Sequence, residues 1–241
     1  GPWAKYLEAS VRDQAGDSDG AATALAELEK NHPEHMLNTM SFTAGSSKET
    51  VVQRMRSNAQ ERANWEAAHP TLFNNPEPAQ DCPRVKITTT EGFIVLALYD
   101  QEAPKHCENF LKHCSEGFYD GTKFHRVIAN FMIQGGDPNT KEVDVDQWGQ
   151  GGPGYKVARE ENDLKHFVGY LAAAKMPGEV DSSGSQFYIT TGPAHHLDGQ
   201  HVVFGKIIDG METARIVESS MIVPGTSRPE APASVISTEI L

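Results

Sequence analysis

The sequence predicts a mainly β domain, a closed antiparallel barrel carrying two α-helices, set behind an α-helical N-terminal extension. Three observations predict it. From Arg84 onward the apolar residues fall into many short segments of strand period, with only two stretches of helical period among them. Before residue 74 the periodic segments are helical. Between the two, NNPEPAQDCP (Asn74 to Pro83) is polar and rich in Pro, the composition of a boundary. Closure is expected because a barrel leaves no sheet edge exposed. The chain therefore divides into residues 1–80, extension and linker, and 81–241, the barrel domain.

In the extension, Ala21, Leu25 and Leu28 share one helix face behind Asp17 and Ser18, which suit a cap. Ser46 and Glu49 have capping-box spacing in front of Val52, Met55 and Ala59. Trp3 and Trp65, near its two ends, imply that these helices pack on something. The run AATALAELEKNHPEH is similar to half a tetratricopeptide repeat, but no second copy follows, so the segment is read as an amphipathic extension. In the barrel domain Val85, Ile87 and Thr89 alternate, Glu91-Gly92 turns the chain, and Phe93 to Tyr99 is apolar on both faces, a hairpin with a buried second strand. A helix follows with Pro104 in its first turn and Gly117 past its end, its stripe made by Ala103, Cys107, Phe110, Leu111 and Cys114. Short strands are expected at 123–128, 132–134, 168–173, 186–190, 203–208 and 235–241, with a second helix over 210–219.

Composition narrows the function. Hydrophobic residues at 38% and charged residues at 22% suit a soluble globular chain. No apolar run reaches the roughly eighteen residues that span a bilayer. The net charge is −12, spread over both parts, which disfavours a nucleic-acid partner because a phosphate backbone needs a basic face. Cys82, Cys107 and Cys114 cannot all pair; Cys107 and Cys114 stand about 10.5 Å apart along a helix axis, too far for a disulfide. They read as small buried residues. His106-Cys107 and His113-Cys114 repeat at seven residues, too far apart for one metal ion, and His195-His196 lack a third ligand, so no metal and no cofactor are implied. Ser182 to Ser185 read as a turn rather than a nucleophile. The chain opens Gly1-Pro2-Trp3 rather than with Met, and Gly1-Pro2 reads as a protease-cleavage scar, which leaves room for a natural signal or anchor to have been cut away and the compartment open between cytoplasmic and periplasmic or secreted.

The densest chemistry lies in FHRVIANFMIQGGDP, Phe124 to Pro138, which gathers one Arg, one Gln and large apolar side chains before a Gly-Gly turn. GSQFYIT (Gly184 to Thr190) and LDGQHVVFG (Leu197 to Gly205) follow. In this order and spacing the three blocks resemble the signature of the cyclophilins, the peptidyl-prolyl cis-trans isomerases. The resemblance covers roughly residues 84–241 and implies an eight-stranded barrel capped by two helices. It also implies an enzyme that speeds rotation about X–Pro bonds in extended segments of unfolded or loop polypeptide, assisting folding.

The chemistry is undemanding in kind. Partial double-bond character raises a barrier of about 18–20 kcal/mol, so X–Pro bonds exchange in roughly 10–100 s. A fixed guanidinium aimed at the imide nitrogen favours the twisted amide, in which that nitrogen regains its lone pair, over the planar one. The resemblance gives that role to Arg126, with Gln134 holding a substrate carbonyl and Phe131 beside them; taken alone, Arg126 would read as a strand arginine in a salt bridge. Phe131, Met132, Tyr188 and Leu197 would line the proline pocket and His201 would close it by packing and hydrogen bonding, not by proton transfer. Ala174, Gln186 and the backbone of Lys175 match positions that hold the extended chain, and Gly149-Gln150-Gly151-Gly152 resembles the loop flanking a secondary pocket.

Three departures matter. His196 stands where many members carry a Trp that contacts cyclosporin, so weakened cyclosporin binding is expected with activity kept. Tyr188 replaces a commoner Phe and is expected to place a hydroxyl at the pocket rim. Lys175 replaces an Asn and adds a charge that favours acidic residues beside the proline, which a kinetic comparison of Glu- and Lys-flanked prolines tests. A rival reading keeps the groove and drops catalysis, leaving a module that binds proline-containing peptides; another gives the extension a docking role.

Overall fold

The computed structural model describes residues 1–14, 17–44, 47–68 and 74–241, and the chain forms two compact units, Gly1–Asn74 and Asn75–Leu241. The first holds α1 (Pro2–Gln14), α2 (Ser18–Asn31), α3 (Met36–Thr39), the hairpin β1 (Ser41–Ala44) and β2 (Ser47–Thr50), and α4 (Val51–Ala68). Asp17 caps α2, accepting from Gly20 N–H at 2.9 Å, and Arg12 binds its other oxygen at 2.6 Å. Ala21, Leu25 and Leu28 are buried, with Val52 and Ala59 of α4. The cap of α4 differs from the expectation. Thr50 and Gln53 form the reciprocal pair, at 3.0 and 3.2 Å, while Glu49 lies in β2 and Ser46 falls outside the described residues. Trp3 is half exposed against the edges of Tyr6 and His35; the side chain of Trp65 is outside those described.

The second unit is an eight-stranded antiparallel sheet built from β3 (Arg84–Thr89), β4 (Gly92–Leu98), β5 (Arg126–Ile128), β6 (Met132–Gly135), β7 (Tyr170–Ala173), β8 (Phe187–Thr190), β9 (Val203–Asp209) and β10 (Val235–Ile240). Its order is β10-β3-β4-β9-β7-β8-β6-β5, with α5 (Pro104–Ser115) and α6 (Met211–Glu218) as the helices. The sheet curls into a half-barrel that is open, not closed as expected: β10 and β5 end the order without forming a ladder to each other. Prolines explain the gap. The segment facing β5 carries Pro224, Pro229 and Pro232, which have no N–H to give a ladder. Separate bonds span it instead, from Gly121 N–H to Val235 O, Phe124 N–H to Ala233 O and Val127 N–H to Ser227 O, at 2.8–2.9 Å.

Strand period splits the interior in two. Leu171, Ala173, Phe187 and Ile189 join Val85, Ile94, Leu96, Phe110 and Val217 in the core under the helices. Their neighbours Tyr170, Ala172 and Tyr188 face the other way, where they pack with Met132, Leu164, Val203, Phe131 and Leu197. The main cleft of the half-barrel opens on this second face. All three cysteines are free and buried, and burial pushes the Cys114 thiol up to about 12.

Residues 75–77 are bound to the half-barrel. The side chain of Asn75 pairs with the backbone of Lys165, donating at 2.8 Å and accepting at 2.7 Å. The Tyr99 hydroxyl donates to Pro76 O at 2.8 Å, and Lys206 meets Glu77 at 2.8 Å. No helix among the described residues is long and apolar enough to cross a membrane.

Candidate active site

Strand register assembles the site. Arg126 of β5 pairs with Gln134 of β6, Gln134 with Tyr188 of β8, and Tyr188 with Ala172 of β7, so four strands set these residues in one row on the outer face. A cleft of about 850 Å³ opens over that row. Arg126, Phe131, Met132, Gln134, Ala174, Lys175, Tyr188, Leu197 and His201 all line it.

Arg126 is half-buried, and burial lowers its pKa from the ordinary guanidinium value. Among the described residues it has no carboxylate partner; its Nη1 donates to Gln134 Oε1 at 3.2 Å and lies 3.9 Å from Met132 Sδ. The amide chain continues inward, Gln134 Nε2 donating to Gln186 Oε1 at 3.0 Å. Gln186 is buried and spends its own Nε2 on the carbonyls of Gly149 and Gly151, at 3.0 and 2.8 Å. It therefore lies beneath the cleft wall, and its backbone carbonyl is taken by Ala174 N–H. The glycine loop is fixed, because Asp137 binds Gly149 N–H and a Cβ on Gly151 would come within 2.1 Å of Asp137 Oδ1. Arg126 thus sits at the end of a continuous chain of oriented amides.

His201 is part-buried with Nδ1 3.1 Å from Ala173 O. A carbonyl only accepts, so Nδ1 carries the proton and Nε2 is left unprotonated. Burial depresses its basicity, which keeps the ring neutral. His196 is exposed and packs its ring 5.3 Å from Phe131, at the edge of the cleft rather than in its lining. Lys175 donates its Nζ to Glu179 O at 3.0 Å, an exposed tether within its own turn. One expectation is corrected: the Tyr188 hydroxyl is not at the rim but buried, 2.9 Å from His166 Nε2. The phenol turns away from solvent because His166 offers it a partner that the apolar pocket lacks.

Two constellations escaped sequence reasoning. One is His166, with Asp198 at 2.9 Å from its Nδ1, behind Tyr188. The other is Ser182, His106 and Glu160, aligned with Ser182 Oγ 2.7 Å from Nε2 and Glu160 2.6 Å from Nδ1. Ser182 is thus not a plain turn residue; it completes a Ser-His-Glu line. Glu160 also accepts the N–H groups of Lys105 and His106, capping α5 where Ala103 offers no side-chain cap. The adjoining cavity is about 20 Å³, room for a single water and no substrate, so the line works as a clip. Trp148 and Arg228 also line the cleft. Trp148, next to the glycine run, had a sequence signal; Arg228 had none.

Residues 84–240 match the family described as cyclophilin type peptidyl-prolyl cis-trans isomerase/CLD. The chain is 40% identical over 139 residues to human peptidyl-prolyl cis-trans isomerase-like 1, covering 56% of this chain and 80% of that protein. It is 43% identical over 133 residues to a peptidyl-prolyl cis-trans isomerase of Synechococcus elongatus, covering 55% and 85%. A cyclophilin-type isomerase from Cryptosporidium parvum superposes with a TM-score of 0.60 and 33% identity, over 66% of this chain and 97% of that one. A second structure of that protein was determined in the presence of the dipeptide Ala-Pro. With the family match, the half-barrel and these relatives in agreement, the chain belongs to the cyclophilin-type peptidyl-prolyl cis-trans isomerases.

Proposed function

We propose that the cleft binds X–Pro segments of unfolded or loop polypeptide in extended form and turns the bond with Arg126 as the catalytic cation. The observation that carries this is a half-buried guanidinium facing the cleft without a carboxylate partner among the described residues. Desolvating a cation without pairing it is costly, and a substrate imide nitrogen supplies the missing interaction only as the amide twists and its lone pair returns. Gln134, oriented by Arg126 and Gln186, has its second amide N–H left to hold the substrate carbonyl. Phe131, Met132, Tyr188 and Leu197 form the apolar proline pocket with His201 at its mouth, while Ala174 and Lys175 flank the extended chain. Because Lys175 lines the cleft, acidic neighbours of the proline are favoured.

A charge-assisted hydrogen bond is worth about 1.5–3 kcal/mol, so Arg126→Ala lowers kcat/KM by roughly 10- to 150-fold. Turnover of an Ala-Pro peptide by intact protein and by this variant tests the assignment. Equal rates would hand the cleft to a binding module without catalysis. A second role falls to the extension, as a dock for a partner protein. It is favoured by α1, where Trp3, Leu7 and Val11 recur every four residues and are 50%, 60% and 64% exposed. Deleting residues 1–74 separates the two roles, since it should abolish partner binding and spare turnover.

A further inference from the structure

A line of polar side chains runs behind the cleft. The Tyr188 ring forms part of the pocket floor, but its hydroxyl points into the protein, 2.9 Å from His166 Nε2. His166 Nδ1 is 2.9 Å from Asp198 Oδ1, which also accepts the His166 backbone N–H at 2.7 Å. The second Asp198 oxygen meets His195 Nδ1 at 3.1 Å. The His166 side chain is wholly buried, and its ring stacks on Tyr188 with centroids 5.9 Å apart. Burial pushes the Asp198 carboxyl up, but its hydrogen bonds with His166 and His195 prevail and hold it below the usual carboxylate range. An ionised carboxylate only accepts, so Nδ1 of His166 carries the proton and Nε2 accepts from the Tyr188 phenol.

Asp198 also closes the short turn His195–Leu197, which presents Leu197 to the cleft. The backbone agrees, with Ala194 N–H donating to His166 O at 2.8 Å. One buried imidazole therefore ties a floor residue of the pocket to a wall residue. We propose that His166 is a positioning residue of this isomerase: it touches no substrate, and it sets the spacing between Tyr188 and Leu197 that fits a proline ring. The proposal rests on the cleft being the proline site, and it assigns a second role to a tyrosine whose ring alone would suffice for packing.

The test uses the full chain with His166→Leu, His166→Gln, Tyr188→Phe and the His166→Leu/Tyr188→Phe double variant. An Ala-Pro peptide serves as ligand, with KM, kcat, Kd and Tm measured for each. His166→Leu is expected to raise KM and Kd about tenfold with kcat within about twofold, the scale of one lost buried hydrogen bond. His166→Gln, whose amide offers an acceptor for the phenol and a donor for the carboxylate, is expected to restore most of the loss. Tyr188→Phe raises Kd about threefold, and the double variant is no worse than His166→Leu, because both cut the same link. Unchanged KM and Kd in His166→Leu, or losses that simply multiply in the double variant, would overturn the proposal. Should His166→Leu fail to fold, Tyr188→Phe decides, and an unchanged Kd refutes it. Because Kd is read apart from turnover, absence of turnover would count against the role of Arg126 and not against this one.

Discussion

Removing residues 75–83 should destabilise the half-barrel although they precede its first strand. The perturbation is a pair of truncations, one starting at Asn75 and one at Arg84. Tyr99 is 1% exposed, burial raises the pKa of its phenol, and its hydroxyl donates to Pro76 O. Losing that acceptor removes one part-buried hydrogen bond, at about 0.5–1.5 kcal/mol. The two bonds between Asn75 and Lys165 are partly buried and add about 1–2 kcal/mol. The Glu77–Lys206 pair, with Glu77 76% exposed, adds little. The sum is roughly 1.5–3.5 kcal/mol, or about 5–10 °C in Tm for a domain of this size. Thermal unfolding by circular dichroism compares the fragments, with Asn75→Ala in the intact chain as the single-site version. Melting temperatures within about 2 °C of each other would refute the reasoning.

Further outcomes follow from the same contacts. His106, His113, His125, His166 and His201 all have folded pKa values lowered, chiefly by burial, below the ordinary value near 6.5. The unfolded chain then binds more protons below that pH, so stability rises with pH through this window and Tm should drop between about pH 7 and 5; a flat profile contradicts the burial of these rings. Ser182→Ala should cost about 1–2 kcal/mol of stability and leave kcat/KM unchanged, while a fluorophosphonate should not label Ser182 in the intact protein, since the cavity holds no substrate; labelling would reopen the Ser-His-Glu line as a reactive site. His196→Trp should tighten cyclosporin binding about tenfold by restoring an indole face and N–H next to Phe131, read by calorimetry, with equal affinities as the failing result.

Much of the site was legible because its residues lie close together in sequence and strand period decides their face. Arg126, Met132 and Gln134 come from one hairpin, and two-residue alternation puts them with Tyr188 on a single side. What stayed hidden depends on partners far along the chain. Nothing near Tyr188 signals that its hydroxyl has a histidine 22 residues earlier, or that His106 reaches Glu160 and Ser182, 54 and 76 residues away. The helix cap was misplaced for a different reason. Ser46/Glu49 and Thr50/Gln53 carry the same spacing, and only the hairpin in front of α4 selects the second. Closure failed because an argument about sheet edges ignores what three prolines remove from the one segment that faces β5. Likewise NNPEPAQDCP has the composition of a free linker, yet Asn75 and Pro76 have fixed partners on the half-barrel.

The most direct test of the account is the rate of cis-to-trans conversion of an Ala-Pro peptide, measured with the intact protein and with Arg126→Ala. The account predicts fast turnover that falls roughly 10- to 150-fold in the variant while peptide Kd changes little. Turnover that survives the loss of Arg126, or an intact protein that binds the peptide without turning it over, would contradict it.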